Sequence, residues 1–331
     1  MKILVTGGCG FIGSNFIRYI LNKYHDYEIV NLDALTYAGN VDNLKGMDVK
    51  RYQLVHDSVA NGDTVNGLMK GVEAVVHFAA ESHVDRSIDN AQPFLITNVI
   101  GVQVLLDAAR KAGIKRFVHI STDEVYGSLE TDDGLFTETT PLAPNSPYSA
   151  SKGAADLLVH AYFKTYGFPV CTVRPSNNYG PYQFPEKLIP LMITNLIEGA
   201  PVPLYGEGKN VRDWFYVGDN CRAIDLVLHN GRGGQVYNAG GECEKKNIDI
   251  VELVLDIMGK DSSSITYVKD RPGHDYRYAI NNAKITSELG FKPEKPLRAG
   301  LELTVQWFRD NEWWWKPLKR RLVSESKGFW G

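Results

Sequence analysis

Closely spaced cysteine pairs are missing from this chain. Its four cysteines, Cys9, Cys171, Cys221 and Cys243, are scattered through 331 residues without a Cys-x-x-Cys spacing. That argues against a zinc site or a disulfide framework and favours a reducing, cytoplasmic setting. Strong charge is missing too: the net charge of −3 offers no electrostatic footprint for nucleic acid, so any phosphate must be held by local Arg, Lys or backbone groups. No apolar run approaches the length of a membrane-spanning helix, and a strand-like run starts after one lysine, leaving no room for a signal peptide. We find no internal repeat or low-complexity tract. What remains is a chain with 44% hydrophobic residues, enough to bury the core of one large domain with a lobe or of two joined domains.

Lys2-Ile-Leu-Val-Thr6 reads as a short strand, and it leads into Gly7, Gly10 and Gly13 at three-residue spacing before a helical pattern of Phe16, Ile17, Ile20 and Leu21. Glycines so placed permit a tight turn, close approach of a pyrophosphate and close packing of helix on strand. A second strand, Glu28 to Asp33, ends in an acid at the distance that the dinucleotide fingerprint requires. A carboxylate at Asp33 accepts hydrogen bonds from a ribose 2′-hydroxyl and repels a 2′-phosphate, and no Arg or Lys follows in Ala34-Leu35-Thr36. NAD is therefore the expected cofactor.

Strand patterns at Tyr52–His56, Ala74–Phe78 and Phe117–Ile120 alternate with helical ones near 62–70 and 94–112. The expectation is an α/β chain: a Rossmann-type doubly wound parallel sheet with a smaller mixed α/β substrate-binding lobe. Ligands in such sheets bind beyond the carboxyl ends of the strands, where Asp33, Asp57, Ala79 to His83 and Ser121 to Glu124 all fall. After a strand at Val170–Arg174 the alternation stops in a loop dense in Pro, Asn, Tyr and Gly. We assign 1–180 to the dinucleotide-binding domain, to which the chain returns within about 207–242, with Arg212–Val217 and Gln235–Asn238 as the returning strands. Segments 181–206 and 243–331 form the smaller domain, with helices at 247–258 and 297–311 and turns at Pro272-Gly273 and Pro293 to Pro296. The amphipathic tail, Trp313 to Trp315 followed by Lys319 to Arg321, reads as an aromatic cluster clamped onto the protein surface or a partner subunit.

Chemistry gathers between His119 and Lys152. A strand breaks into Thr122-Asp123-Glu124, and a helix begins around Pro147-Tyr148. Tyr148 and Lys152 are four apart and share a helical face, so the ammonium can stabilise a phenolate and lower the tyrosine pKa, making Tyr148 a usable base. Tyr19 and Lys23 have the same spacing without nearby carboxylates, and read as surface and packing. Burial beside an ionised Glu124 should raise the pKa of Asp123. His83 reads as a polar residue at the crevice; no second His or Cys around it has metal-ligand spacing, and no metal is expected. Without further information, Arg212 and Arg271 would be taken as surface ion-pair residues.

The glycine loop with Tyr148 and Lys152 resembles the extended short-chain dehydrogenase/reductases. Within them the chain is similar to the nucleotide-sugar 4,6-dehydratases, on the segments Ala79 to Arg86, Ser121 to Gly127, Ser176 to Pro190, Arg271 to Asp275 and Asn311 to Trp315. The resemblance implies dTDP-glucose as substrate and NAD as resident cofactor. Tyr148, assisted by Thr122, would take the proton from the C4 hydroxyl, Glu124 the proton at C5, and Asp123 would protonate the departing C6 hydroxyl. It extends the cofactor site to Phe11, Ile12, Ala34, Leu35, Thr36, Asp57, Ser58, Phe78, Ala79, Ala80, Ser82, Thr97 and Asn178. It assigns the nucleotide sugar to Ser82, His83, Ser121, Thr122, Asn177, Lys187, Leu188, Ile189, Pro190, Pro203, Leu204, Tyr205, Arg212, Asn247, Arg271, His274 and Asp275. Tyr276 stands where the family pattern has an arginine. The resemblance also implies a homodimer built as a four-helix bundle from 94–112 and 148–166, with no membrane or nucleic-acid partner. A 4-epimerase shares the tyrosine and NAD but has no need of the Asp123–Glu124 pair. A redox-sensing module that had lost its chemistry would not retain Tyr148, Lys152 and both carboxyls.

Overall fold

Side-chain alternation and glycine placement explain most of the elements. The structure, a computed structural model, describes residues 1–131, 133–270 and 275–325. Strand β1 (Lys2–Thr6) enters the loop of glycines and helix α1 (Phe11–Lys23); β2 (Glu28–Asp33), β3 (Tyr52–His56), α2 (Gly62–Leu68) and β4 (Ala74–His77) follow. After α3 (Val84–Asp89), a long helical run comprises α4 (Gln92–Leu95), a π-helical turn at Ile96–Ile100, and α5 (Gly101–Lys111). Next come β5 (Arg116–Ile120), a 3₁₀ turn at Asp123–Tyr126, α6 (Pro147–Tyr166) and β6 (Val170–Pro175). The rest is β7 (Asn177–Tyr179), α7 (Leu188–Ile197), β8 (Val202–Tyr205), β9 (Val211–Tyr216), α8 (Val217–Asn230) and β10 (Val236–Ala239), then β11 (Glu244–Lys246), α9 (Asn247–Met258), β12 (Ile265–Val268), α10 (Ala283–Leu289), α11 (Leu297–Asp310) and α12 (Glu312–Glu325).

Seven strands form one parallel sheet in the order β10-β6-β5-β4-β1-β2-β3. The order reverses at β1 and β4, so a crevice opens beyond their carboxyl ends. One face is covered by a core that includes Phe16, Ile17 and Ile20 of α1 and Ile224 and Leu228 of α8. The other is covered through Val65 of α2, Leu105 of α5 and Val159 of α6. Because both faces are buried, the central strands are continuous apolar runs.

Of the two strands expected to return to this sheet, Val236–Ala239 does, pairing with β6. Val211–Tyr216 instead lies between β7 and β11 in a separate three-stranded sheet. Its apolar pattern suits either place, and α8 after it supplies the return. A third core, drawn from α7, α9, α11 and α12, holds the smaller lobe together. Trp314 and Trp315 are buried in it, not laid on the surface as expected, because Phe308 and the neighbouring rings enclose them. Trp315 Nε1 donates to the Phe308 carbonyl at 2.8 Å, and Trp314 Nε1 reaches Asn43 Oδ1 at 2.8 Å across to the first sheet's side. Lys23 packs as anticipated, donating to Tyr19 and to Asp225 of α8.

Gln92–Lys111 forms one helical run of 20 residues, of which an 18-residue stretch has mean hydropathy 1.3; it is long and apolar enough to cross a membrane, where no such run was expected, and 44% of that stretch is buried within the fold. Its inner side packs against α6. Leu95, Ile96 and Ile100 face outward, as does Leu157 of α6. The run serves a core on one side and leaves an apolar face on the other, which is why its composition is so uniform.

Candidate active site

The glycines make the cofactor cradle. Gly7 has φ +71°, and a Cβ there would lie 2.5 Å from the Ala79 nitrogen. A Cβ on Gly13 would sit 2.4 Å from the Gly7 carbonyl oxygen, so α1 packs on the loop only without one. Gly10 begins α1 with no side chain capping its N–H groups, which leaves them and the positive end of the helix dipole to a diphosphate. At the end of β2, Asp33 is buried and fixed: Oδ2 accepts from the Cys9 N–H and Oδ1 from the Leu35 N–H, both at 2.8 Å. Burial raises its pKa, opposed by those two N–H groups.

These residues border a crevice of about 330 Å³ that also takes in Phe11, Ile12, Ala34, Thr36, Ser58, Phe78, Ala79, Ala80, Ser82, Thr97 and Asn178. The donor set and the absent side chains fit a dinucleotide. Two expected members do not border it. Leu35, at φ +50°, offers its N–H to Asp33 and does not border the crevice. The Asp57 carboxylate accepts from Asn61 and Thr64, holding the start of α2, and its neighbour Ser58 takes the place at the crevice.

The reaction centre is set by α6. A capping box between Ser146 and Ser149 with Pro147 in the first turn starts that helix, placing Tyr148 and Lys152 in its opening turns. Ser87 accepts from the Tyr148 N–H at 3.1 Å. Opposite, beyond the end of β5, the Thr122 hydroxyl starts the 3₁₀ turn, accepting from the Glu124 N–H and donating to Asp123 Oδ1, each at 3.3 Å. Thr122, Asp123, Glu124, Tyr148, Lys152 and Ser121 all border the same crevice.

The electrostatics correct one expectation. Lys152 Nζ donates to the Ile120 carbonyl at 2.6 Å. Burial pulls its pKa down to about 8, with Asp156 opposing. Tyr148 is pushed up, not down: burial and the charges of Glu124 and Asp123 outweigh the hydrogen bond from Thr122. The pair's shared helical face is therefore real, but the ammonium is anchored on backbone and does not offset two neighbouring carboxylates. Asp123, 1% exposed, is raised well above the carboxylate range by burial, then by Glu124 and Asp213, as its position beside Glu124 suggested.

Around the nucleotide-sugar end, Ser82, Asn177 and Lys187 border the crevice. His83 caps α3 and lies 3.4 Å from Glu186 Oε2. Arg212 is buried, not a surface ion-pair residue: it donates to the Val211, Asp275 and Tyr276 carbonyls and stacks 4.4 Å from the Tyr278 ring centre. Asp275 accepts from Asn145 at 2.7 Å. Asn247 opens α9, and its Oδ1 is buried without a partner among the described residues. Leu188, Ile189, Pro190, Pro203, Leu204 and Tyr205 do not border the crevice; Ile189 and Leu204 fill the lobe core, because an apolar side chain at the start of α7 or in β8 gains more from that core than from water. Arg271 and His274, with the Pro272-Gly273 turn, lie outside the described residues. Tyr276 accepts from Thr131 at 3.3 Å through its hydroxyl.

Sequence reasoning placed Glu81 at the crevice but missed the polar cluster around it. Tyr37, Glu81 and Glu186 border the crevice, and the Arg86 guanidinium stacks 3.9 Å from the Tyr37 ring centre while reaching Glu186 at 3.8 Å. Burial raises the pKa of both glutamates. It also missed Asn98. Held in the π-helical turn, Asn98 binds Ser151 at 2.8 Å and both backbone groups of Glu81, tying the loop after β4 to α6. A π-turn re-aims one side chain in exchange for helical regularity, and nothing in the local composition announces it.

Comparison with known proteins gives a consistent picture. The profile of the family described as GDP-mannose 4,6 dehydratase matches residues 4–304. A dTDP-glucose 4,6-dehydratase of Streptomyces niveus is 50% identical over 324 residues, 96% of each chain. Among solved structures, the dTDP-glucose 4,6-dehydratase of Bacillus anthracis in complex with NAD is 53% identical with a TM-score of 0.91, covering 96% of this chain and 99% of that one. That of Streptomyces venezuelae, with NAD and dTDP bound, is 51% identical with a TM-score of 0.93, covering 96% and 100%.

Proposed function

The chain belongs to the dTDP-glucose 4,6-dehydratases of the extended short-chain dehydrogenase/reductases, and from that premise we propose that it converts dTDP-glucose to dTDP-4-keto-6-deoxyglucose with NAD as resident cofactor. The observation that carries the reading is a pair of adjacent carboxyls, Asp123 and Glu124, in the same crevice as Tyr148 and the glycine cradle. Elimination needs one group to take a proton and another to give one, and the raised pKa of Asp123 suits it to giving. A 4-epimerase has no such requirement.

When bound, NAD supplies the acceptor for the hydrogen at C4 and delivers that hydrogen to C6 after water has left. Gly7, Gly10 and Gly13 would hold its diphosphate and Asp33 its adenosine ribose. Tyr148 takes the C4 hydroxyl proton, and the neighbouring Thr122 hydroxyl favours the phenolate, lowering the tyrosine pKa against burial and the two carboxyls. Lys152 steadies the end of β5 through the Ile120 carbonyl and so fixes where Thr122 begins. Once C4 is a ketone, its neighbour C5 is acidic, and Glu124 removes that proton while Asp123 protonates the departing C6 hydroxyl. Ser82, Asn177 and Lys187 bind the sugar nucleotide from the crevice wall. Arg212, Asn247 and Asp275 bind it too, together with Arg271 and His274 and the segments Leu188 to Pro190 and Pro203 to Tyr205.

Dimerisation through the outward apolar face of Leu95, Ile96, Ile100 and Leu157 completes the reading: two such faces form a four-helix bundle, and the protein works in the cytoplasm. A monomeric mass by sedimentation at micromolar concentration sinks that part. For the reaction itself, the protein is incubated separately with dTDP-glucose and UDP-glucose, and products are identified by mass and NMR. Conversion of the thymidine sugar to its 4-keto-6-deoxy form is expected; a 4-epimer, or equal use of the uridine sugar, overturns the proposal.

A further inference from the structure

The glycine loop is gripped at its middle residue. Cys9 is fully buried, and both of its backbone groups are taken by one stretch of chain, the stretch that leaves β2. At the near end the Cys9 N–H donates to Asp33 Oδ2 at 2.8 Å. At the far end the Cys9 carbonyl accepts from Asn43 Nδ2 at 2.8 Å and from the Asn40 N–H at 3.0 Å. Between those ends Ala34, Thr36, Tyr37, Ala38 and Gly39 border the cofactor crevice, so the stretch is a wall of that crevice and Asn43 is its outer anchor. Asn43 is 1% exposed, and its other amide atom is used as well: Oδ1 accepts from Trp314 Nε1 at 2.8 Å. An indole nitrogen only donates and a backbone carbonyl only accepts, so the position needs one donor and one acceptor on one short side chain, which an asparagine amide supplies.

Trp314 belongs to the core of the smaller lobe. It is buried on α12, with the Trp307 ring 5.0 Å and the Tyr182 ring 5.9 Å from its own, centre to centre. Two further donors hold the same wall: Arg18 Nε reaches the Asn43 carbonyl at 2.8 Å, and the Arg321 guanidinium, late in α12, reaches the Tyr37 carbonyl. We infer that Trp314 and Asn43 are positioning residues for the cofactor, through which α12 fastens the crevice wall to the glycine loop and retains NAD from one turnover to the next. This rests on the reading of the crevice as an NAD site. The proposed cycle makes retention useful, because the hydrogen taken from C4 is returned at C6 and the cofactor ends as it began. Neither residue borders the crevice; their hold on the cofactor runs through Cys9 and the wall.

The test uses the purified holoenzyme. Bound NAD is exchanged against excess radiolabelled NAD, and the exchange rate is read beside the melting temperature for wild type, Trp314→Phe, Asn43→Asp and Trp315→Phe. Trp314→Phe keeps a ring and removes the donor to Asn43; Asn43→Asp keeps the acceptor for Trp314 and removes the donor to Cys9. Trp315→Phe is the control, because Trp315 is buried in the same core but donates to the Phe308 carbonyl within the lobe. Trp314→Phe and Asn43→Asp should each exchange NAD about tenfold faster than wild type, the scale expected when one buried hydrogen bond is lost. Activity that they lose on desalting should return when NAD is added back. Trp315→Phe should exchange NAD at the wild-type rate whatever its melting temperature. Should Trp314→Phe not fold, Asn43→Asp decides alone. Wild-type exchange in both variants, or equally fast exchange in Trp315→Phe, overturns the inference. A wild-type protein that binds no NAD overturns the cofactor reading, which is a separate result.

Discussion

Lys152 Nζ and the carbonyl oxygen of Ile120 are joined by a 2.6 Å hydrogen bond inside the protein, so the cation of the active-site helix is bound to the last residue of the central strand that precedes Thr122. The bond couples the placement of Thr122, Asp123 and Glu124 to the charge state of one amine. Burial makes that charge costly, and Asp156 four residues along the helix relieves only part of the cost.

The first prediction follows from Lys152 standing at about 8. Below that value the amine is charged and donates; above it, one donor charge is lost. The rate should therefore show an alkaline limb near pH 8. Lys152→Arg, whose guanidinium stays charged, should shift that limb upward even where its overall rate is lower. For stability the sign is the opposite of a gain at low pH. The folded value lies below the unfolded one of about 10.4, so between the two the unfolded chain holds more protons and stability rises with pH. An alkaline limb that stays in place in Lys152→Arg would mean another group titrates there.

A second prediction concerns Gly7. Its φ of +71° and the 2.5 Å approach of any Cβ to the Ala79 nitrogen mean that Gly7→Ala must displace the loop after β4. It should lose NAD on purification and lower stability by roughly 1–3 kcal/mol, the scale of such backbone strain. Gly62→Ala, where nothing lies within 4 Å, should leave cofactor content and melting temperature nearly unchanged. Cofactor content by absorbance and melting by circular dichroism decide it.

A third prediction is that Asp33→Ala relaxes the preference for NAD over NADP, because the carboxylate no longer faces a 2′-phosphate. The same change removes the acceptor for the Cys9 and Leu35 N–H groups, so total cofactor affinity should fall as well. Titration of the apoprotein with both cofactors measures each effect. A wild-type protein that holds NADP when purified contradicts the assignment.

The first half of the chain is legible because its local signals agree with its tertiary role. From Lys2 to Asp33, apolar runs, glycine spacing and a terminal acid each have one physical solution, and the strands end where the sequence says they do. The reading weakens where tertiary partners decide. Val211–Tyr216 is apolar enough for either sheet, and its pairing with β7 and β11 depends on residues far away in sequence. The direction of the Tyr148 shift could not be derived from helical spacing, since it depends first on burial and then on Glu124 and Asp123, brought in by the turn after β5. Arg212 was misjudged in isolation because carbonyls of Asp275 and Tyr276, more than sixty residues on, are what satisfy it when buried.

The last prediction separates the two carboxyls. Both act after C4 has been oxidised, so neither is needed for the first hydrogen transfer. Glu124→Gln should still reduce the cofactor but be slow to remove the C5 proton, so reduced cofactor and the 4-keto sugar should accumulate in the site. Asp123→Asn should also slow elimination, by failing to protonate the C6 hydroxyl as it leaves. A substrate with fluoride at C6 distinguishes them, because fluoride departs without being protonated. It should relieve Asp123→Asn substantially and Glu124→Gln far less, since C5 must still lose its proton. The buried Oδ2 of Asp123, which has no hydrogen-bond partner among the described residues, and its raised pKa are what a proton donor requires, whereas a fixed carboxylate in its place would repel the leaving hydroxide. Removing one such group typically costs about 10²- to 10⁴-fold in rate, well beyond what mild misfolding produces. Single-turnover absorbance of the reduced cofactor with both sugars and both variants makes the measurement. Rescue of Glu124→Gln alone by fluoride would reverse the two assignments, and undiminished turnover in both variants would move the elimination to other residues.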